Sequence, residues 1–329
     1  MHVGAIITVS RPFTTQGETS DGDFASPVAT WDVLGSSVLA RMVDRLRIAG
    51  VSEISVLYEG DAPTLTDSSS QAITSDTEWR KIAAQYLGYG LKTLLLVRVG
   101  AYVELDVSDF LRFHRERSGS ITQACDQQGE LDVLAVDAKH LHGTGWLRSG
   151  LKSHARYSFR GYVNRLKDIQ SYRQLVKDAL VGRAGIRPMG REVAPDVWAN
   201  DGARLHQSAH IAGPAYFGKD SNVHSGCSIT GASSIEQSCE VDCGTTVEDS
   251  CILPGTYLGM ALHVRSAVAS GQTLFHLGRN VQLQFHDRKI IGNRISQRGL
   301  LQQARSFLSV SIPALRDGDG QPATSNWHL

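Results

Sequence analysis

Large apolar residues recur at every sixth position between residues 202 and 255. The chain divides there, without an insertion, into nine segments of six residues whose second residue is small and whose fourth is large and apolar. A helix repeats every 3.6 residues and a two-sided strand every 2, so neither produces this interval. The fourth positions, predicted to fill the interior of a coil, are Leu205, Ile211, Phe217, Val223, Ile229, Ile235, Val241, Val247 and Leu253.

An interval of six predicts a left-handed parallel β-helix of hexapeptide repeats. Each repeat supplies one short strand and one corner, and three repeats complete one coil of a triangular prism. Successive coils then pair as parallel strands at a spacing of roughly 4.8 Å. We expect this β-helix to occupy residues 196–283, with Leu258 and Val264 continuing it into a less regular fourth coil.

The first half of the chain has a different pattern, in which short apolar runs alternate with helical stripes. The runs predict strands at Val3–Val9, 54–58, 94–99 and near 120–124, and the stripes predict helices at 37–48, 77–87, 107–116 and 168–181. Strands that alternate with helices favour a mostly parallel, doubly wound sheet. We therefore predict an α/β doubly wound (Rossmann-like) domain over residues 1–182 and, from its glycine and proline content, a linker over residues 183–195.

The last segment, residues 284–329, is predicted to be a C-terminal extension. Leu300, Leu301, Ala304, Phe307 and Leu308 have the spacing of one amphipathic helix, near 300–308. The final residues, DGDGQPATSNWHL, predict a disordered tail.

Charge and composition narrow the function further. The chain carries 33 basic and 33 acidic residues, so charge does not favour nucleic acid or an anionic membrane as a partner. No apolar run reaches the roughly 18–20 residues of a membrane span, and the N-terminal MHVGAIITVSRPF is typical of a buried strand and not of a signal peptide. Five cysteines without a CxxC pair favour a reducing compartment, so we expect a cytoplasmic location.

Residues 36–58, 94–122 and 161–178 carry the strongest local motifs of the N-terminal region. Taken in order, these three stretches resemble the nucleotide-sugar pyrophosphorylases, in particular the mannose-1-phosphate guanylyltransferase-like branch. Residues 36–58 (SSVLARMVDRLRIAGVSEISVLY) look like the family's helix, glycine and strand after its sugar-nucleotide loop. Residues 94–122 look like its central strand, loop and next helix, and residues 161–178 (GYVNRLKDIQSYRQLVKD) resemble its GYWxDIGTxxxY segment. The resemblance implies a nucleotidyltransferase-like domain followed by a left-handed β-helix. In the family, a sugar 1-phosphate attacks the α-phosphate of a nucleoside triphosphate and pyrophosphate is released.

The same resemblance places the family's catalytic residues on positions that do not carry them. The glycine-rich loop LAGGxGTRLRPLT is matched by AIITVSRPFTTQG, and the lysine of the PKP motif falls near Ser26-Pro27-Val28. The two aspartates that hold Mg²⁺ fall at Gly100 and Arg165. Glycine has no side chain, and an arginine repels a cation. We therefore predict a shortened, degenerate domain with no catalytic residue that can be named and no metal site.

These features favour a non-catalytic homologue that is regulatory, ligand-binding or scaffolding. The candidates for binding an anionic ligand, such as a nucleotide sugar or a sugar phosphate, are Arg11, Arg98 and Arg165. A non-catalytic protein of this kind is expected to need no cofactor. The alternative is an active sugar-1-phosphate nucleotidyltransferase with an atypical phosphate site, which would need Mg²⁺. Self-association through the β-helix, which is common in the family, would make the protein a homo-oligomer.

His206, His224 and Asp242 are spaced eighteen residues apart, so they are predicted to stack on one outer face of successive coils. Histidines on such prisms act as the base of hexapeptide acyltransferases, or bind zinc where subunits meet. A surface ladder of polar residues accounts for the same spacing. Because three coils are short for an acyltransferase, we favour the polar ladder and keep acyl transfer or a metal site as a further alternative.

Overall fold

The computed structural model describes residues 2–9, 24, 26–59, 70–73, 78–117, 121–141 and 155–294. Arg11, the helix predicted near 300–308 and the predicted tail lie outside these residues. Within the described part of the chain, no helix has both the length and the apolar character needed to cross a membrane.

A seven-stranded mixed sheet forms the centre of the N-terminal region. Its strands are β1 (Val3–Val9), β2 (Glu53–Glu59), β3 (Ser70–Ile73), β4 (Thr93–Val99), β5 (Ile121–Asp126), β6 (Gly129–Asp137) and β7 (Ala155–Ser158). They lie in the order β7-β5-β6-β4-β1-β2-β3. Strand β6 is antiparallel to both of its neighbours, whereas the other pairs are parallel.

Helices cover both faces of this sheet, because alternate side chains of a strand point to opposite faces. Ile6 packs with Ala83 of one helix, whereas Ile7 belongs to a separate cluster that contains Leu46 of another. The helices are α1 (Val38–Ile48), α2 (Glu78–Gly88), α3 (Val107–Glu116) and α4 (Ile169–Leu180). Three of them begin at a side chain that accepts a backbone N–H, namely Ser37, Asp106 and Asp168.

The antiparallel strand β6 departs from the mostly parallel sheet that the sequence predicts. Asp126 pairs with Gly129 across a tight hairpin between β5 and β6. Such a hairpin joins antiparallel neighbours directly, so no crossover helix is needed. Leu131 and Val133 alternate with Glu130 and Asp132 before the apolar residues 134–136, and the prediction from apolar runs did not use this signal.

A smaller hairpin in the N-terminal region becomes important for the contact with the rest of the protein. Asp32–Val33 pairs with Ser36–Ser37, and the two residues between them, Leu34 and Gly35, have φ of 55° and 93°. Positive φ at both positions is the geometry of a type I′ turn. The other short elements are the pair Tyr102–Val103 with Val163–Asn164 and the 3-10 helices Val28–Thr30 and Ala138–His140.

The C-terminal region is a stack of short strands arranged in three sheets. The first sheet contains Arg191–Ala194, Val197–Ala199, Ala215–Phe217, Ser233–Ile235, Cys251–Ile252, Ala267–Ser270, Thr273–His276 and Val281–Gln284. The second contains Arg204–Leu205, Asn222–Val223, Glu240–Val241, Thr256–Leu258 and Ile291–Asn293, and the third contains His210–Ile211, Ser228–Thr230, Thr246–Glu248 and His263–Arg265. Ala215 pairs in parallel with Ser233, an offset of 18 residues. The parallel pairing and this offset are compatible with the predicted β-helix.

Most of the predicted interior residues lie in one hydrophobic cluster inside the stack. Phe217, Val223, Ile229, Ile235, Val241 and Val247 are each at most 1% exposed there. Leu205 and Ile211 pack against the same cluster but are only partly buried. They belong to the edge strands of the second and third sheets, which pair with a neighbouring strand on one side only.

The predicted interior position at Leu253 is wrong. Ile235 pairs with Ile252, an offset of 17 residues, so the corner before Cys251 is one residue shorter than the corresponding corner of the preceding coil. Ile252 therefore belongs to the interior of the stack, whereas Leu253 packs in the hydrophobic cluster of the N-terminal region. A shift of one residue along a strand moves a side chain to the opposite face.

Two buried ionisable side chains join the sheet region to the stack. Arg173 of α4 donates hydrogen bonds to the carbonyl oxygens of Ala232 (2.9 Å) and Asp249 (3.1 Å) and to the Asp249 carboxylate (2.7 Å). Glu236 of the stack is fully buried and accepts the backbone N–H groups of Leu34 and Gly35, both at 3.0 Å. The segment 183–195, predicted to be a linker, contains strand Arg191–Ala194. This strand pairs with Val197–Ala199 and so belongs to the first sheet of the stack.

The environment of Glu236 opposes its ionisation. Burial raises the pKa of Glu236 to about 8, and the nearby carboxylate of Asp32 adds to this effect. The N–H groups of Leu34 and Gly35 and the guanidinium of Arg41 act in the opposite direction but do not offset the burial. The contact between the two regions therefore contains a group that titrates close to neutral pH.

Candidate functional site

A polar cleft of about 550 Å³ lies beside the β5–β6 hairpin. Its walls are the hairpin turn, the segment 159–167 and the first turns of α4, so the stretch that resembles the family's GYWxDIGTxxxY motif forms one side of it. Gln128, Tyr162, Asn164 and Gln174 are among its lining residues. A volume of this size is typical of small-molecule sites, which span roughly 300–1,000 Å³.

Arg165 lies in this cleft and is held by an acidic partner. Its Nη2 atom lies 2.8 Å and 3.0 Å from the two carboxylate oxygens of Asp126. Its Nε donates to Gln128 Oε1 at 3.3 Å and its Nη1 to the backbone carbonyl of Glu130 at 3.4 Å. The position that the resemblance gives to a metal-binding aspartate is thus occupied by a guanidinium that already engages both oxygens of the adjacent carboxylate.

Two further cations line the cleft without a carboxylate partner among the described residues, namely Arg160 and Lys167. The second acidic residue of the lining, Asp178, accepts the hydroxyl of Tyr162 at 2.8 Å and the amide of Gln174 at 2.9 Å. Burial, together with this hydrogen bond to Asp178, raises the pKa of Tyr162 well above its ordinary value, so its hydroxyl stays protonated at neutral pH. The cleft therefore combines positive charge with several neutral hydrogen-bonding groups.

Gly100, the other inferred metal position, directly follows β4 and is not among the described residues that line the cleft. A side chain built at Gly100 would begin 3.7 Å from a carboxylate oxygen of Asp132. Asp132 lies two residues along β6 from Glu130, whose carbonyl contacts Arg165. The two residues of β6 that these positions contact are therefore roughly 7 Å apart along the strand, and one carboxylate lies beside each position.

The segment that the resemblance matches to the lysine of the PKP motif lies within the described residues, whereas most of the segment matched to the glycine-rich loop lies outside them. Val28 is buried at the start of a 3-10 helix, and Ser26 accepts a hydrogen bond from the indole of Trp31 at 2.9 Å. No lysine stands in that segment. Arg98 is exposed on β4, outside the described lining of the cleft, and it has an interaction of its own.

The predicted polar ladder divides into two parts. His224 and Asp242 lie together on neighbouring coils, and a ring nitrogen of His224, a carboxylate oxygen of Asp242 and the sulfur of Cys243 all lie within 4.8 Å of one another. His206, on the coil before, instead contacts the hydroxyl of Ser208 at 2.8 Å and is not a member of this group. The sequence spacing of eighteen found the first two residues, but it could not include Cys243, which is adjacent to Asp242 in the chain.

Sequence reasoning also missed Asp126 and Asp132. Both belong to the β5–β6 hairpin, which was not predicted, so there was no reason to place their carboxylates near Gly100 and Arg165. The only available signal was the turn segment Asp126-Gln127-Gln128-Gly129 followed by an alternating strand.

The chain was compared with protein families, curated proteins and solved structures. No protein-family model matches the chain, and no curated protein matches it significantly. Among solved structures the chain is similar to HddC from Yersinia pseudotuberculosis complexed with GMP-PN, with 11% sequence identity and a TM-score of 0.41 over 54% of this chain and 99% of that one. A similarity at this level identifies neither a family nor an activity. The mixed sheet with helices on both faces is an α/β architecture.

Proposed function

We propose that the protein is a degenerate nucleotide-sugar pyrophosphorylase-like protein that binds a nucleotide sugar or a sugar phosphate and does not transfer a nucleotidyl group. The observation that carries this proposal is the contact between Arg165 and Asp126 in the cleft. Mg²⁺ needs oxygen ligands in near-octahedral geometry. Arg165 and Gly100 supply none, and Asp126 is engaged by the guanidinium, so the residues at these positions do not fit the ion.

The lining of the cleft supports an anionic, hydroxyl-rich ligand. Arg160 and Lys167 present positive charge, which attracts phosphate. Gln128, Tyr162 and Gln174 offer amide and hydroxyl groups at the same cleft, and groups of this kind are suited to sugar hydroxyls. We infer a regulatory or scaffolding role in which the protein binds this ligand without converting it chemically.

Ligand binding is tested by calorimetry with the full-length protein. Mannose 1-phosphate, glucose 1-phosphate and their nucleotide sugars are titrated in the presence of EDTA, and we expect at least one to bind without a metal. Replacing both Arg160 and Lys167 with alanine should weaken that binding at least tenfold, since each charged hydrogen bond contributes about 1.5–3 kcal/mol. Arg47→Ala, at an exposed position on α1, is the matched control. Binding that the double variant leaves unchanged would contradict the proposed ligand site.

Catalysis is tested by incubating the protein with each nucleoside triphosphate, a sugar 1-phosphate and Mg²⁺. We expect no release of pyrophosphate. One observation favours the opposite outcome, an active enzyme with an atypical site, because the carboxylate of Asp132 lies beside Gly100 and would offer an oxygen ligand. Release of pyrophosphate that Asp132→Asn abolishes would establish this alternative and eliminate the non-catalytic interpretation.

We also propose that the three-sheet stack is a left-handed β-helix of hexapeptide repeats and that it mediates self-association. The offset of 18 residues between Ala215 and Ser233 supports the repeat. Among the described strands, Val281–Gln284 ends the first sheet, and its alternate residues Val281 and Leu283 are 43% and 46% exposed. Apolar edge strands of this kind readily pair with another chain. Light scattering should show an oligomer, and a monomer at micromolar concentration would contradict self-association.

A further inference from the structure

The histidine, aspartate and cysteine on the outer face of the stack form a set of metal-binding groups. His224, Asp242 and Cys243 come from two neighbouring coils, and their candidate ligand atoms lie within 4.8 Å of one another. All three side chains are partly exposed, so an ion can reach them. We propose that these three residues bind a divalent cation of the zinc class, with a water molecule as the fourth ligand.

The hydrogen bonds of His224 leave one ring nitrogen for a metal. Its Nε2 lies 3.0 Å from a carboxylate oxygen of Glu240, which is itself paired with Arg294 at 3.2 Å. A carboxylate can only accept, so Nε2 carries the proton and Nδ1 keeps its lone pair. The side-chain amide of Asn222 lies 2.9 Å from the same Nε2 and accepts from it when its oxygen faces the ring. A histidine oriented by a carboxylate in this way is a common feature of zinc sites.

Asp242 is held in position by two hydrogen bonds. One of its oxygens accepts the backbone N–H of Cys243 at 2.7 Å, and the other accepts the hydroxyl of Tyr257 at 2.9 Å. Each carboxylate oxygen retains a lone pair for a cation.

Cys243 completes the set with a soft ligand. Its sulfur accepts the hydroxyl of Ser225 at 3.4 Å. The other cysteines of the stack, Cys227, Cys239 and Cys251, are buried and lie outside the group. Cys243 is therefore the accessible thiol of this region.

The chemistry of the three groups selects the ion. Zinc binds imidazole nitrogen, carboxylate oxygen and thiolate sulfur at roughly 2.0–2.3 Å in tetrahedral geometry, which requires ligand atoms about 3.3–3.8 Å apart. The candidate ligand atoms, now within 4.8 Å of one another, reach these shorter distances when the partly exposed side chains rotate. Magnesium and calcium favour oxygen ligands alone, so a site with one nitrogen and one sulfur does not suit them. Three protein ligands leave one tetrahedral position for water.

Metal binding is tested on the full-length protein, reduced and stripped of metal by a chelator. Titration with Co²⁺ should give one equivalent bound per chain, with the thiolate-to-cobalt charge-transfer band and the visible bands of a four-coordinate ion, and Zn²⁺ should displace it. Cys243→Ser should abolish the charge-transfer band. Asp242→Asn and His224→Gln should each weaken Zn²⁺ affinity by at least about tenfold.

His206→Ala is the matched control, because His206 belongs to the same predicted ladder but not to the group. Its metal affinity should equal that of the unaltered protein. Circular dichroism shows whether each variant folds. If one of the three ligand variants does not fold, the other two still test the proposal. The proposal is overturned if the unaltered protein shows no charge-transfer band, if the band persists in Cys243→Ser, or if His206→Ala loses affinity as much as His224→Gln. The group lies in the stack and not in the cleft, so these results do not depend on the ligand proposed there.

Discussion

The buried carboxyl of Glu236 should make the stability of the protein depend on pH in an unusual direction. Its pKa is raised from 4.5 to about 8 in the folded protein, mainly by burial. Between these values the unfolded chain has lost the proton that the folded chain retains. The free energy of unfolding therefore falls as pH rises, by about 1.4 kcal/mol per pH unit for one proton. Across the whole interval the effect is at most about 5 kcal/mol.

Glu236→Gln isolates this contribution. Glutamine is uncharged throughout, so the variant should lack the slope that Glu236 causes. Its amide NH₂ would face one of the two backbone N–H groups, at Leu34 or Gly35, that the carboxyl oxygens accept in the natural protein. Leaving a buried donor unpaired costs about 1–3 kcal/mol. We therefore expect the variant to be less stable at pH 5 and to match or exceed the natural protein near pH 8.

Urea unfolding, followed by tryptophan fluorescence at pH 5, 6, 7 and 8, measures the free energy of unfolding of the natural protein and of Glu236→Gln. Glu116→Gln, at an exposed position of α3, is the control and should keep the slope of the natural protein. The reasoning is refuted if the stabilities of the natural protein and Glu236→Gln run parallel across this range, because the carboxyl would then be ionised in both states.

Three other substitutions test the contacts that hold the fold. Arg173→Met leaves buried oxygens unpaired and should cost about 3–5 kcal/mol. Arg183→Met is the control, because the Arg183 side chain is largely exposed, and it should cost less than about 1 kcal/mol in the same urea experiment. Ile229→Ala should cost about 2–5 kcal/mol, and a negligible loss would place Ile229 outside the interior of the stack. Burial lowers the pKa of His114 from 6.5 despite its contact with Asp137, so the folded chain resists a proton that the unfolded chain takes up. Stability should then be lost as pH falls below 6.5, and His114→Gln should remove that loss in thermal unfolding.

The sequence predicts local elements well where one periodicity dominates. The stripe of Val38, Met42 and Leu46 predicts α1, and the structure has a helix at Val38–Ile48 with these residues buried. The interval of six predicts which residues point into the stack from Phe217 to Val247. In both cases buried side chains recur at a fixed interval along the chain, and this interval can be read from the sequence.

Prediction failed where a single residue or a distant pairing decided the outcome. The interval of six assigns Leu253 to the interior, but the shortened corner before Cys251 turns Ile252 inward. Both residues are large and apolar, so the sequence does not distinguish them. Likewise, whether β6 runs parallel or antiparallel depends on which strands lie on either side of it, and its own composition does not contain that information.

The sequence by itself determined the two kinds of periodicity along the chain and the absence of a carboxylate at positions 100 and 165, because these follow from residue order and residue identity. Only the tertiary structure decided what surrounds those positions. It brought Asp126 to Arg165, Cys243 to His224, and Glu236 to a turn some 200 residues earlier in the chain. Such contacts depend on how separate elements pack, and the energies of burial and hydrogen bonding that select them act between residues far apart in the sequence.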